Sequence, residues 1–84
     1  MYVEFLGIPR ERAGISEVEI DAATLGQLLG ELAVRFPRFG ELVTAGTLHR
    51  SLTANLNGDE FVNDPRTVLA REDHLLILSA DVGG

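Results

Sequence analysis

One segment near the middle of the chain has the periodicity of an amphipathic helix, and it constrains the fold more than any other feature. Its apolar residues recur at helical spacing and form a single stripe: Leu25, Leu28, Leu29, Leu32 and Phe36. Thr24 and Gln27 have the spacing of a capping box at the start of the segment, and Pro37 ends it. A single helix must bury such a stripe against another element, so we expect it to lie across a sheet.

The partner sheet is predicted by segments in which apolar and polar residues alternate. Such alternation covers residues 2–6, 16–21 and 52–56; a brief strand is predicted at residues 60–62, and the apolar run at residues 74–79 predicts the last strand. Val3 and Phe5 predict the inner face of the first strand, and the first two strands should pair. Asn57-Gly58 predicts a tight hairpin between the third and fourth strands. The expected order is β-β-α-β-β-β, an α+β fold with one main helix across a mixed sheet of four to five strands.

The connections between these elements have weaker patterns. Gly7, Pro9 and Gly14 indicate a loop between the first two strands. Residues 39–45 are typical of a further short helical turn that ends at Gly46.

The size and charge of the chain exclude several classes of protein. Its 84 residues make one domain, which we place at residues 1–78, with a flexible tail at residues 79–84. There is no apolar run of about 18 residues and no signal-peptide pattern, so we expect a cytoplasmic protein that contacts no membrane. The formal net charge of −6 disfavours nucleic acid and favours a partner with a basic surface.

The amino-acid composition excludes several kinds of catalytic group. Cysteine and lysine are both absent, which removes a thiol nucleophile, a Schiff base and a P-loop. His49 and His74 are isolated in the sequence, so neither a metal site nor a bound cofactor is expected. His74 and Ser79 would lie about 16 Å apart on opposite faces of a strand, so they form no catalytic pair. We predict no catalytic residue.

Two features remain as candidate sites. The sequence ends Val82-Gly83-Gly84 directly after an apolar strand, which makes the carboxylate of Gly84 the most accessible reactive group. In that strand, Leu76 and Leu78 share the face opposite Leu75 and Ile77. If Leu75 and Ile77 meet the helix, the other face presents leucines, joined by Leu6 or Leu56, and such a patch often marks a docking surface. The alternative is that a loop or the short helix covers that face.

The order of these elements and the diglycine together resemble the MoaD/ThiS family of ubiquitin-like sulfur carriers along essentially the whole chain. The 84-residue length is closer to the MoaD branch. The residues that carry the resemblance are Val3-Glu4-Phe5-Leu6-Gly7, Arg10-Glu11, Thr24-Leu25, Leu28-Leu29, Leu32, Pro37, Asn57-Gly58-Asp59-Glu60, Asp73 and Val82-Gly83-Gly84.

The resemblance implies a β-grasp (ubiquitin-like) fold and a carrier function. Gly84 would be adenylated by a separate adenylyltransferase of the ubiquitin-activating type that uses ATP, and sulfide or a persulfide would then displace AMP to leave a thiocarboxylate. Gly83 and Val82 would be the spacer, and Leu76, Leu78 and Leu6 would dock the partner. The chain would be the non-catalytic small subunit of molybdopterin synthase, with the catalytic groups on a larger subunit.

The resemblance leaves other recipients open. Ser79-Ala80-Asp81 stands where MoaD members usually carry prolines, and Leu48-His49-Arg50 is similar to carriers from a cysteine-forming pathway. Carriers for cysteine, thiamin or tRNA thiolation therefore remain alternatives. So does a protein modifier joined to its targets through Gly84.

Overall fold

The protein folds as a five-stranded mixed sheet with one long helix packed across one face. The structure, a computed structural model, describes residues 1–80. The helices and strands, in chain order, are β1 (Tyr2–Phe5), α1 (Ile8–Ala13), β2 (Glu17–Glu19), α2 (Leu25–Arg35), α3 (Pro37–Gly40), β3 (Val43–Thr44), β4 (Thr47–Leu48), β5 (Leu52–Leu56), β6 (Glu60–Val62) and β7 (His74–Ser79). The predicted α+β fold with a mixed sheet and one main helix is confirmed. No helix in this part of the chain is long and apolar enough to cross a membrane.

The last strand lies at the centre of the sheet, whose strand order is β2-β1-β7-β5-β6. β7 runs parallel to β1 and antiparallel to β5, with Leu75 opposite both Val3 and Leu56. β1 and β2 pair antiparallel, as predicted, and so do β5 and β6. Because side chains alternate along a strand, this register places Val3, Phe5, Ala54, Leu75 and Ile77 together on one face. We call this the covered face, and all five residues are buried.

Helix α2 supplies the other half of the core. Four leucines of its stripe are buried: Leu25, Leu28, Leu29 and Leu32. Phe36 is only half-buried, and its ring packs edge-on against Phe5 with centroids 6.0 Å apart. The cap differs slightly from the predicted box. Thr24 Oγ1 accepts from the Gln27 N–H at 3.3 Å, but the Gln27 side chain reaches back to the N–H of Ala23 rather than to that of Thr24.

The first turn of α2 lies against the segment that precedes β7. The Leu25 N–H donates to the Thr67 carbonyl and the Gly26 N–H to the Pro65 carbonyl, both at 2.9 Å. These bonds satisfy two of the donors that a helix start leaves unpaired. They require close approach, since a Cβ on Gly26 would lie 2.9 Å from the Pro65 Cβ. Gly26 is therefore needed for this contact.

The loop predicted between the first two strands is wrong in part, because residues 8–13 form α1. Pro9 lies in its first turn, where a missing N–H costs nothing. Gly14, at φ 79°, ends the helix with its N–H donating to the Arg10 carbonyl at 2.9 Å. The glycines and proline that indicated a loop are the terminal signals of a short helix.

The helical turn predicted at residues 39–45 is also wrong in part, because only residues 39 and 40 of that range are helical. Helix α3 begins directly at Pro37 and ends at Gly40, and a two-stranded hairpin of β3 and β4 follows. Its turn places Ala45 at φ 52° and Gly46 at φ 74°, which a continuing right-handed helix cannot accommodate.

Candidate docking face and tail root

The two leucines predicted for docking lie on the face of the sheet that α2 does not cover. Leu76 and Leu78 are half-buried, whereas Leu75 and Ile77 on the same strand have an exposed fraction of 0%. The alternation predicted from the sequence therefore separates a core pair from a pair that solvent can reach. Leu76 lies between Glu4 and Asn55, and Leu78 lies opposite Thr53.

Leu6 extends this apolar surface, but Leu56 does not. Leu6 follows β1 one position beyond the Phe5–Ile77 pair, its N–H donates to the Ile77 carbonyl at 3.0 Å, and its exposed fraction is 46%. Leu56 lies opposite Leu75 and is only 7% exposed. The suggestion that Leu56 could join the patch is wrong, because the register turns its side chain into the core.

Sequence reasoning missed one apolar member of this face. Phe61 in β6 is 68% exposed and lies opposite Asn55, which lies opposite Leu76. Its neighbour Val62 pairs with Ala54 on the covered face, so the alternation of β6 could have placed Phe61 outward. We call this surface the open face. Its uncharged members are Leu6, Thr53, Asn55, Phe61, Leu76 and Leu78, and Glu4 and His74 lie on the same face.

One edge of the open face is acidic. Glu4 lies opposite Glu17 on the neighbouring strand, an arrangement of like charges that is mildly destabilising by itself. Glu4 is also 3.2 Å from the Nε2 atom of His74, and the His74 ring packs edge-on against Tyr2 with centroids 4.6 Å apart. A shallow groove crosses the sheet from Glu4 to the β5–β6 turn, lined by Glu4, Asn55, Asn57, Gly58, His74 and Leu76. The apolar centre of the face is therefore bordered by carboxylates.

The turn that leads into β7 is fixed by hydrogen bonds to the carboxylate of Asp73. Asp73 accepts a hydrogen bond from Asn57 Nδ2 at 3.0 Å and another from the Ala70 N–H at 2.7 Å. These donors, led by Asn57, lower the pKa of the Asp73 carboxyl below its usual 3.8. The Asn57 side chain in turn accepts from the His74 N–H at 2.8 Å. Asp73 thus fixes the start of the central strand through hydrogen bonds.

The tail begins at the opposite end of β7. Ser79 is buried and is the last residue of the strand, and the following Ala80 N–H donates to the Ser51 carbonyl at 2.8 Å. We call Ser79 and Ala80 the tail root. The predicted cargo residue Gly84 and its spacers Gly83 and Val82 lie outside the described residues.

Among the residues that the structure describes, the remaining polar candidates do not come together in a reactive arrangement. His74 is exposed on the open face while Ser79 is buried on the opposite side of the strand. His49 contacts Ser51 within its own turn, with Nδ1 2.8 Å from the serine Oγ. Within residues 1–80, no group of three or more His, Cys, Asp or Glu side chains could hold a metal ion.

Several solved structures share this architecture over nearly their entire length. SAMP1 from Haloferax volcanii matches with a TM-score of 0.80 and 24% identity, covering 99% of this chain and 97% of that one. The Amycolatopsis orientalis BexX/CysO complex contains a match with a TM-score of 0.77 and 28% identity, covering 99% and 98%. A putative molybdopterin converting factor subunit 1 from Pyrococcus furiosus matches with a TM-score of 0.76 and 23% identity, covering 93% of each chain.

These similarities decide the fold. The chain is a β-grasp protein. Its structural neighbours are MoaD/ThiS-like proteins with the ubiquitin fold, so the resemblance found in the sequence is confirmed. No protein-family model matches the β-grasp chain, and no curated protein matches its sequence.

Proposed function

We propose that the protein is a ubiquitin-like sulfur carrier and that the carboxylate of Gly84 is its cargo site. The observation that carries the proposal is the β-grasp fold with whole-length similarity to a chain of the BexX/CysO complex, in a sequence whose last residues are Val82-Gly83-Gly84. The proposal requires Gly84 to be the last residue of the mature protein.

The proposed loading of Gly84 with sulfur accounts for the terminal glycines and for the absence of lysine and cysteine. A carboxylate is a poor electrophile, so a Gly84 oxygen would first attack the α-phosphorus of ATP on the activating enzyme, and pyrophosphate would leave. A sulfide sulfur would then attack the carbonyl carbon, the bond to AMP would break, and a thiocarboxylate would remain. Glycine suits both final positions because no Cβ blocks a narrow channel and unusual φ values cost little. The chain contains neither lysine nor cysteine, so no side-chain amine or thiol of its own competes for the activated carbonyl.

The open face is the docking surface in this proposal. Leu6, Leu76 and Leu78 would contact the partner, and Phe61 adds to the apolar area. The acidic edge at Glu4 and Glu17 favours a partner whose matching surface is basic. The catalytic groups and the ATP site would belong to that partner.

Two recipients of the sulfur are supported. The first is the larger catalytic subunit of molybdopterin synthase, with this chain as the small subunit, and it follows from the MoaD-like length and motifs. The second is an acceptor enzyme of the kind that CysO-like carriers serve. It is supported by the higher identity to the BexX/CysO structure than to the molybdopterin converting factor subunit.

Intact mass spectrometry of the protein isolated from its own cells tests the proposal. We expect a population in which one oxygen at Gly84 is replaced by sulfur, and tandem fragmentation should place the change on the last residue. Conjugates of much higher mass would instead support a protein modifier. A mature protein that extends beyond Gly84 would contradict both.

A chain with one alanine added after Gly84 supplies the matched control. We expect it to fold normally and to remain unloaded, because the reacting carboxylate would then lie one residue further out and on a residue that carries a Cβ. Normal loading of the extended chain would refute the role of Gly84. To separate the two recipients, the loaded protein can be supplied to a purified molybdopterin synthase large subunit and its sulfur loss measured.

A further inference from the structure

The hydrogen-bond ladder between β5 and β7 does not stop at the end of the strand. The register pairs Leu52 with Ser79, and the next pair in the same register is Ser51 with Ala80. The Ala80 N–H donates to the Ser51 carbonyl at 2.8 Å, so the ladder continues by one bond beyond β7. Ala80 is exposed, and this bond is made by its backbone rather than by its side chain.

The carbonyl that accepts this bond belongs to a closed turn. The Ser51 N–H donates to His49 Nδ1 at 3.1 Å, and the Ser51 Oγ lies 2.8 Å from the same nitrogen. The Leu52 N–H donates to the His49 carbonyl at 2.9 Å. Ser51 is therefore held on both sides before it meets Ala80.

The start of α1 restrains the other side of the tail root. Gly7 has φ 71°, and a Cβ at this position would lie 3.3 Å from the Ser79 Oγ. Ser79 itself is 7% exposed. Ser79 is thus enclosed beside Gly7, while the exposed Ala80 is held to the His49–Ser51 turn through its backbone.

We propose that the Ser51 carbonyl, oriented by His49, positions the tail for loading by fixing Ala80 to the sheet. This inference rests on the proposed carrier function. With Ala80 fixed, four residues separate the root from the cargo atom, a maximum reach of about 14 Å. A residue that is already ordered loses no further conformational entropy when the activating enzyme binds the tail. A residue that has been released from the sheet must be ordered on binding, which weakens the affinity by roughly tenfold.

The test removes the donor of the Ala80–Ser51 bond with a matched pair of variants. Ala80→Pro has no N–H, and Ala80→Val keeps the N–H with a side chain of similar size. The measurement is ATP–pyrophosphate exchange catalysed by the activating enzyme purified from the same cells, with each variant as the varied substrate. We expect Ala80→Pro to raise KM about tenfold with little change in kcat, and Ala80→Val to behave like the wild-type chain. His49→Ala should raise KM by a smaller factor, and Arg50→Ala should leave it unchanged.

The other outcomes distinguish this inference from the proposed function. Equal KM values for Ala80→Pro and the wild-type chain would overturn the inference and leave the carrier function intact. Equal increases for the proline and valine variants would also overturn it, because the side chain rather than the hydrogen bond would then matter. A wild-type chain that supports no exchange would overturn the carrier function and this inference together. Urea unfolding of each variant ensures that a folding defect is recognised.

Discussion

The two faces of the sheet differ in solvent exposure, although β7 contributes two leucine or isoleucine side chains to each. On the covered face, Leu75 and Ile77 share one core cluster with the leucines of α2 and are 0% exposed. On the open face, Leu76 and Leu78 are half-buried beside Thr53, Asn55 and the exposed Phe61. The first pair holds the domain together, while the second contributes apolar surface that the fold leaves within reach of solvent. The comparison separates residues that stabilise this molecule from residues available to another one.

The sharpest test of this difference compares two neighbouring leucines. We expect Leu75→Ala to reduce the free energy of unfolding by ~2–5 kcal/mol, because it opens a cavity between Val3, Leu56 and the helix. Leu76→Ala should cost less than about 1 kcal/mol, since solvent can refill the space. Urea denaturation measures both values. Similar losses for the two variants would show that the open face is part of the core.

A charge on the open face should affect binding rather than folding. We expect Leu76→Asp to weaken the complex with the activating enzyme by roughly tenfold or more, as removal of a central apolar contact does. The matched control is Val34→Asp, since Val34 is 83% exposed on the outer side of α2. Titration calorimetry should show wild-type affinity for the control. Unchanged affinity of Leu76→Asp would remove this leucine from the interface, and a large loss of stability would place it in the core.

Two glycines of α2 extend the comparison to the helix. Gly26→Ala should destabilise the protein by about 1–3 kcal/mol, because its Cβ would press on Pro65. Gly30 is exposed and a Cβ there would meet nothing within 4 Å, so Gly30→Ala should stabilise by about 0.5–1 kcal/mol. Thermal and urea unfolding report both changes. A stabilising effect of Gly26→Ala would show that Pro65 can move to accommodate the added Cβ.

The smallest expected effect is the contribution of Asp73, at the start of β7, to the pH dependence of stability. The pKa of Asp73 is lowered in the folded protein, so its stabilising contribution is complete above the ordinary carboxyl pKa of 3.8 and is lost as pH falls through the lowered value. We expect Asp73→Asn to be less stable than the wild-type chain at neutral pH, with the two stability curves converging in acid. Parallel curves down to the lowest pH would contradict this account.

The long periodic elements could be read from the sequence because local pattern and burial agree there. Residues 74–79 were predicted as a strand, and β7 has these bounds. The leucine stripe predicted α2 and its buried side, and Thr24 does cap the helix. In α2 the apolar stripe is the side that the core buries, whereas β7 is apolar on both faces and was predicted from its short, continuous apolar run.

The shorter elements depend on contacts that no local pattern reveals. Helix α1 has six residues, too few to be stable alone, and it forms because it packs against β7 and α3. The β3–β4 hairpin turns at Ala45, whose positive φ is uncommon for alanine. Neither element could be predicted from propensity.

The candidate site was predicted only in part, because membership of a face depends on register. The positions of Leu76 and Leu78 on the open face were predicted from alternation within one strand. Leu6 extends the same face, as the sequence suggested. Leu56 and Phe61 required the pairing of β5 with β7 and β6, which fixes the inward side of each strand. The docking role of this face and the cargo role of Gly84 remain predictions.

The central position of β7 has a consequence for how the protein folds. β1 and β2 form one antiparallel pair and β5 and β6 another, and within residues 1–80 β7 is the strand that joins the two pairs into a single sheet. Its partner β1 is more than 60 residues away along the chain, so the middle of the sheet rests on the most non-local pairing in the molecule. During synthesis, both strand pairs are completed before the strand that unites them. A chain stopped short of His74 would therefore hold two strand pairs with no strand between them, although most core residues would already be present, and cooperative folding of the sheet must wait for β7.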